Sequence, residues 1–177
     1  MKIIILSALS GLTIGIMVIW FGAYNVAAKD KHFSSTEHFL EFVRNRSISA
    51  RSDDLSIPDL ENYELIKKGA QLYAEMCAGC HLAPGMEQTE LHAGLYPQPL
   101  VFSQSDYNNN PAAQFWVIKN GLKMTGMPAW SPSHNDDQIW TMVAFINKLK
   151  SLSSEQYKKL TQATEEGSDH HDSGHSH

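Results

Sequence analysis

The stretch that most constrains this chain is six residues long. "MCAGCH", residues 76–81, sets two residues between Cys77 and Cys80 and follows them at once with His81. These are the only two cysteines in 177 residues. Thiols at this spacing have few uses. They can close a strained, reducible disulfide, help to bind a metal, or be joined covalently to a prosthetic group. Each use makes its own demands on the rest of the chain.

The first demand concerns compartment. Residues 3–28, "IIILSALSGLTIGIMVIWFGAYNVAA", contain no charged side chain. A bilayer is spanned by about 20 apolar residues, and residues 3–22 supply them. Lys2 precedes the run, while Trp20, Phe21 and Tyr24 gather at its far end, where an interfacial aromatic belt belongs. By the positive-inside rule the N-terminus stays cytoplasmic and the rest is exported. The competing reading is a cleaved signal peptide, with Val26-Ala27-Ala28 as the cleavage site. The apolar run exceeds the ~7–15 residues of a signal core, which favours an uncleaved anchor. Ser7, Gly11 and Gly15 share a small-residue face that suits a partner helix, although glycine is common in such helices. The expected location is the cell inner membrane, single-pass, with the bulk of the chain on the periplasmic side.

Beyond the anchor (residues 1–28) comes a polar, membrane-proximal spacer, residues 29–60. It holds one amphipathic segment, "EHFLEFVRNRSIS", for which Thr36 is the expected cap and Phe39, Leu40 and Val43 the apolar face; Pro58 ends the spacer. Residues 61–152 form the main domain. From Asn62 onward, Leu65, Ile66, Gly69, Leu72, Tyr73 and Met76 recur at helical spacing, so the cysteines close a helix. Residues 82–109 read as loop, with Pro84-Gly85, Pro97, Pro99 and a run of asparagines. Asn110 then caps a helix with Pro111 in its first position and Gly121 as its stop. Asn135 and Gln138 suit a capping box for "DDQIWTMVAFINKLKSL". A short helix from Ser153 to about Ala163 and a polar tail complete residues 153–177. No strand pattern and no internal repeat emerge. The expected fold class is all-α.

C-x-x-C-H is the attachment signature of haem c. Each thiol adds to a vinyl group to give a thioether, and the adjacent histidine can ligate the iron. A thiol-exchange site would leave His81 unexplained, and its motif normally opens a helix after a strand. A structural zinc site needs four ligands, and no second cysteine pair is present. One covalent haem c is the expected cofactor.

With these motifs in order, residues 61–152 resemble the single-haem bacterial cytochrome c family. "GAQLYAEMCAGCH" matches the family's glycine eight residues, and aromatic four residues, before the first cysteine; here these are Gly69 and Tyr73. The resemblance implies that the first and last helices cross closely at Gly69, with Met142 and Phe145 opposite and Trp140 near. It implies that "NGLKMTGMPAW" supplies the distal ligand, Met127 rather than Met124. It also implies that "GLYPQPL" lies on the histidine side, where the carbonyl of Pro97 is the expected acceptor for His81. Trp116 and Trp130 are either core or packed on the haem. The expected site set is therefore Cys77, Cys80, His81 and Met127, with His81 and Met127 as the metal ligands. The anchor, spacer and C-terminal extension lie outside the family core. The implied role is one-electron transfer between respiratory-chain proteins, without catalysis. A fixed haem subunit of a larger membrane oxidoreductase is the alternative, followed by a haem sensor or peroxidase-like enzyme.

Charge narrows the partners. Residues 61–152 carry six lysines (67, 68, 119, 123, 148, 150) against eight carboxylates, and the whole chain has a formal charge of −5. Nucleic acid is excluded by that balance. Redox proteins and, through the anchor, the membrane remain. Lys119 and Lys123 flank the methionine stretch as a local docking patch or as plain solvated charges. The tail after Gly167 holds His170, His171, His175 and His177, a tract suited to weak divalent-metal binding or to no ligand at all.

Overall fold

The computed structural model describes residues 1–104 and 110–162; the histidine tract at 170–177 and the expected helix end at Ala163 lie outside the described residues. The chain divides into two units, Met1–His32 and Phe33–His177. The first contains α1, Lys2–Trp20, which buries no residue. It is long and apolar enough to cross a membrane, a test that signal sequences near an N-terminus also pass.

The second unit is built from helices: α2 (Ser34–Ser52), α3 (Tyr63–Met76), α4 (Ala78–His81), α5 (Glu90–Gly94), α6 (Pro111–Asn120), α7 (Asp136–Leu149) and α8 (Ser154–Gln162). Among the described residues there is no strand, and the domain is all-α. Local chemistry explains most of the boundaries. The Asn62 side chain accepts from the N–H groups of Glu64 and Leu65, at 2.9 and 3.5 Å, and opens α3. Asn110 does the same for α6, with Pro111 in the first turn. Gly121 ends α6 at φ +67°, a conformation that glycine adopts without penalty. The Asn135–Gln138 capping box is complete, its two bonds 2.9 and 3.0 Å long. Ser153 and Gln156 form a similar reciprocal pair at the start of α8.

Two elements differ from expectation. α2 begins at Ser34 behind Phe33, with no side-chain cap, so Thr36 lies within the first turn and does not cap it. Ser34 and Ser35 carry the helix upstream and leave its first N–H groups to solvent. The stretch read as loop contains α5, whose cap is Thr89: its hydroxyl accepts the N–H of His92 at 3.1 Å. A five-residue helix is too short to show an apolar period.

The core lies where α3 meets α7. Ile66, Ala70 and Tyr73 of α3 are buried with Ile139, Met142, Val143, Phe145, Ile146 and Leu149 of α7. A helix apolar on most of its faces must be surrounded. α6 and α8 complete that enclosure, with the Tyr157 ring 6.2 Å from Phe145 and Phe115 stacked at 4.3 Å on Trp140. Gly69 sits at the crossing itself. A Cβ placed there would overlap the Thr141 carbonyl oxygen, with Thr141 C at 2.6 Å and Phe145 Cβ at 2.9 Å. The helix that Gly69 touches is thus the expected one, with the Thr141 backbone and Phe145 nearest to it.

Gly69→Ala should therefore lower stability by about 1–3 kcal/mol, and Gly69→Leu by more, because neither backbone can withdraw without unpacking the core. Thermal melting of the mature protein checks this; parent-like melting of both variants would mean that the helices do not meet at Gly69.

Candidate functional site

The site is a turn between two anchored ends. Cys77 caps α3 through its N–H to Tyr73 O, at 2.9 Å. The Cys77 carbonyl then accepts from the N–H groups of Cys80 and His81, at 3.1 and 2.8 Å, and so winds α4. This single turn sets the two thiols three residues apart, on neighbouring positions of one helical face. Leu82 breaks the turn with φ +56° and ψ 174°. That region costs a branched residue about 1–3 kcal/mol. The buried Tyr73 hydroxyl holds it there by donating to Leu82 O at 2.6 Å. The aromatic four residues before Cys77 thus has a polar task as well as a packing one.

His81 is fixed on its other side. Nδ1 lies 2.8 Å from Leu100 O, and the ring stacks on Phe102 at 4.6 Å. A carbonyl can only accept, so Nδ1 carries the proton and Nε2 keeps its lone pair. Burial pushes the imidazole pKa down, against the raising effect of the Leu100 carbonyl, and favours the neutral, ligating form. The acceptor is the carbonyl of Leu100 and not that of Pro97, three residues earlier in the chain.

Two further residues bind the turn from outside, and sequence reasoning missed both. Thr89 donates to Gly79 O at 2.5 Å, and His92, 5% exposed, donates from Nδ1 to Cys80 O at 2.7 Å. Together they clamp α5 onto the carbonyls of the C-x-x-C segment. The available signal was Thr89 as a helix cap three residues before His92.

The Cys77 thiol is pushed up to about 12, first by burial and then by Cys80. A thiol-exchange site needs the opposite, a lowered pKa. Nor do Cys77, Cys80 and His81 converge as zinc ligands would: among the described residues no three His, Cys, Asp or Glu side chains could share a metal ion.

The methionine stretch folds back on the end of α6. Leu122 N–H donates to Met127 O, Trp130 N–H to Ile118 O and Ser131 N–H to Lys119 O, each at 3.1 Å. Met127 N–H donates to the Thr125 hydroxyl at 3.1 Å, and that hydroxyl donates to Leu122 O at 2.9 Å. Met127 therefore has both backbone groups tied, and its side chain packs on the core. Met124 is 84% exposed, at φ +59°. A Cβ on Gly126 would meet the Leu95 side chain, so the histidine-side segment touches the methionine stretch there. Trp130 packs on the core with an edge toward His134 at 5.6 Å, and Trp116 is half-buried. Lys119 is bound to Asp136 at 2.7 Å and lies over the Phe115 ring, so only Lys123 of the expected lysine pair stands in solvent.

The residues of this turn fit a haem c: two cysteines on one face of a turn, followed by an imidazole whose Nδ1 is committed to a carbonyl and whose Nε2 keeps its lone pair.

A family model described as cytochrome c oxidase, cbb3-type, subunit III, matches residues 64–146. No curated protein matches the chain. Among solved structures, a chain of the reducing HAO-like protein complex of Kuenenia stuttgartiensis is similar at 21% identity and a TM-score of 0.47. The similarity covers 54% of this chain and 47% of that one, so this chain spans about half the length of that relative. The family match over residues 64–146, together with the all-α fold and the C-x-x-C-H turn, shows that this chain carries a cytochrome c-like domain, of the haem-binding, electron-transfer kind.

Proposed function

We propose that the protein is a membrane-anchored, one-electron carrier with a single covalent haem c. Cys77 and Cys80 form the thioethers, His81 is the proximal ligand and Met127 the distal one. α1 holds the domain at the periplasmic face of the inner membrane, where it passes electrons between redox proteins of a respiratory chain. The observation that carries this reading is the commitment of His81 Nδ1 to the Leu100 carbonyl, which fixes the tautomer and leaves the lone pair on Nε2.

When bound, haem supplies a ferric/ferrous couple that takes up one electron and gives it back unchanged. The chain's own residues keep that exchange simple. The Leu100 carbonyl holds the imidazole in one tautomer and one orientation. Thr125 and Leu122 hold the Met127 backbone, so its side chain has little freedom to lose on ligation. With His81 and Met127 both holding the iron, the thioether would raise the potential and the closed site would leave no room for a small substrate. This favours a carrier over a peroxidase-like enzyme or a sensor; rapid spectral change of the reduced protein with carbon monoxide would overturn that preference.

A second reading makes the chain a fixed haem subunit. The matched family model is described as an oxidase subunit, and the small-residue face of α1 suits a partner helix. Native electrophoresis of solubilised membranes separates the two: migration alone belongs to the carrier, co-migration with an oxidoreductase to the subunit.

Attachment and ligation are tested separately. Haem should stay with the polypeptide through denaturation and acid–acetone extraction, and a pyridine haemochrome spectrum of the haem b type would end the covalent reading. Met127→Ala should abolish the methionine–iron charge-transfer band at the red end of the oxidised spectrum. It should also lower the potential by a sizeable part of the roughly 0.8 V over which axial ligands act. Met124→Ala should change neither, and the reverse pattern would move the ligand to Met124.

A further inference from the structure

α2 leaves part of its apolar surface facing outward. Thr36, Arg44, Ser47 and Ile48 are half-buried and Ser52 is fully buried, forming the side that a helix packed on α6 turns inward. The Ser52 hydroxyl is enclosed there without a hydrogen-bond partner. The opposite stripe holds Phe39, Phe42 and Val43, which are 65%, 62% and 47% exposed, with Arg46 between them on the same line. A soluble helix normally buries such a stripe and exposes its serines. An outward aromatic stripe of this kind marks a surface that something covers.

We infer that the Phe39–Phe42–Val43 stripe of α2 lies in the lipid interface of the membrane that α1 crosses. The inference rests on the proposed reading of α1 as an anchor. Chain length favours lipid over other occupants. α1 ends at Trp20 and α2 begins at Ser34, so residues 21–33 form the whole leash. Thirteen residues reach at most about 45 Å when fully extended, and less in any real conformation. An apolar stripe tethered so close to a bilayer meets headgroups and acyl chains at high local concentration. Its composition suits that boundary: aromatic rings enter the acyl edge, and Arg46 can carry its charge back to the phosphates. The domain would then be laid on the membrane by a second contact, which limits the faces it offers to partners.

Photo-crosslinking of the full-length holoprotein tests this. p-Benzoylphenylalanine replaces Phe42 in one variant and Glu37, on the opposite face of α2, in another. Each is reconstituted in vesicles of phosphatidylethanolamine and phosphatidylglycerol and illuminated; the position-42 variant is also illuminated in native membranes. A lipid adduct from position 42 and not from position 37 is expected. A chain that fails to float with the vesicles, or is released by alkaline carbonate, overturns the anchor reading and this inference with it. A chain that floats, resists carbonate and gives no lipid adduct at position 42 overturns this inference alone. So does crosslinking at position 42 only to a second copy or to another membrane protein.

Discussion

The close approach of α3 and α7 at Gly69 is the contact on which the rest of the domain depends. A missing side chain lets the Thr141 peptide settle against α3, and that approach brings Tyr73 into van der Waals reach of Phe145. Tyr73 in turn reaches over the attachment turn to hold the Leu82 carbonyl. The packing of two helices is thereby converted into the placement of Cys77, Cys80 and His81. Overpacking the crossing would displace the turn as well as loosen the core. Buried positions at such a crossing cannot yield independently, because interiors are close-packed.

The two sides of the site are built by different means. The histidine side is assembled from distant pieces: Leu100 behind the ring, Phe102 against its face, and Thr89 and His92 on the carbonyls beneath. The methionine side is local, a short stretch sewn to the end of α6 by backbone bonds and one threonine hydroxyl. Leu95 against Gly126 links the two. Met127, the proposed second ligand, is held by its own backbone and the imidazole by a carbonyl; both resist movement, which would suit a group that must change charge without rearranging its surroundings.

Features of short range were legible in the sequence. Asn62, Asn110 with Pro111, Gly121, and Asn135 with Gln138 act within three residues of themselves, and each sits where local chemistry demands. The all-α class and the crossing at Gly69 were legible for related reasons, through helical periods and a motif of fixed spacing. What the sequence hid is long-range. Leu100 lies nineteen residues from His81 and His92 twelve from Cys80, and nothing in the residue types singles out those carbonyl pairs. Lys119 appeared to be a free charge because Asp136, its partner, is seventeen residues away. The start of α2 was misplaced for another reason: Thr36 is a good cap by type, but the chain enters the helix without using one.

The high proton affinity of Cys77 also bears on the order of assembly. Burial and the neighbouring Cys80 raise the hold of this sulfur on its proton, beside a turn that Tyr73, Thr89 and His92 hold closed. The bond-forming step of the proposed attachment would be easier in the open chain, before those hydrogen bonds close the turn. Maturation would then precede folding, and the finished fold would serve as the seal on that reaction.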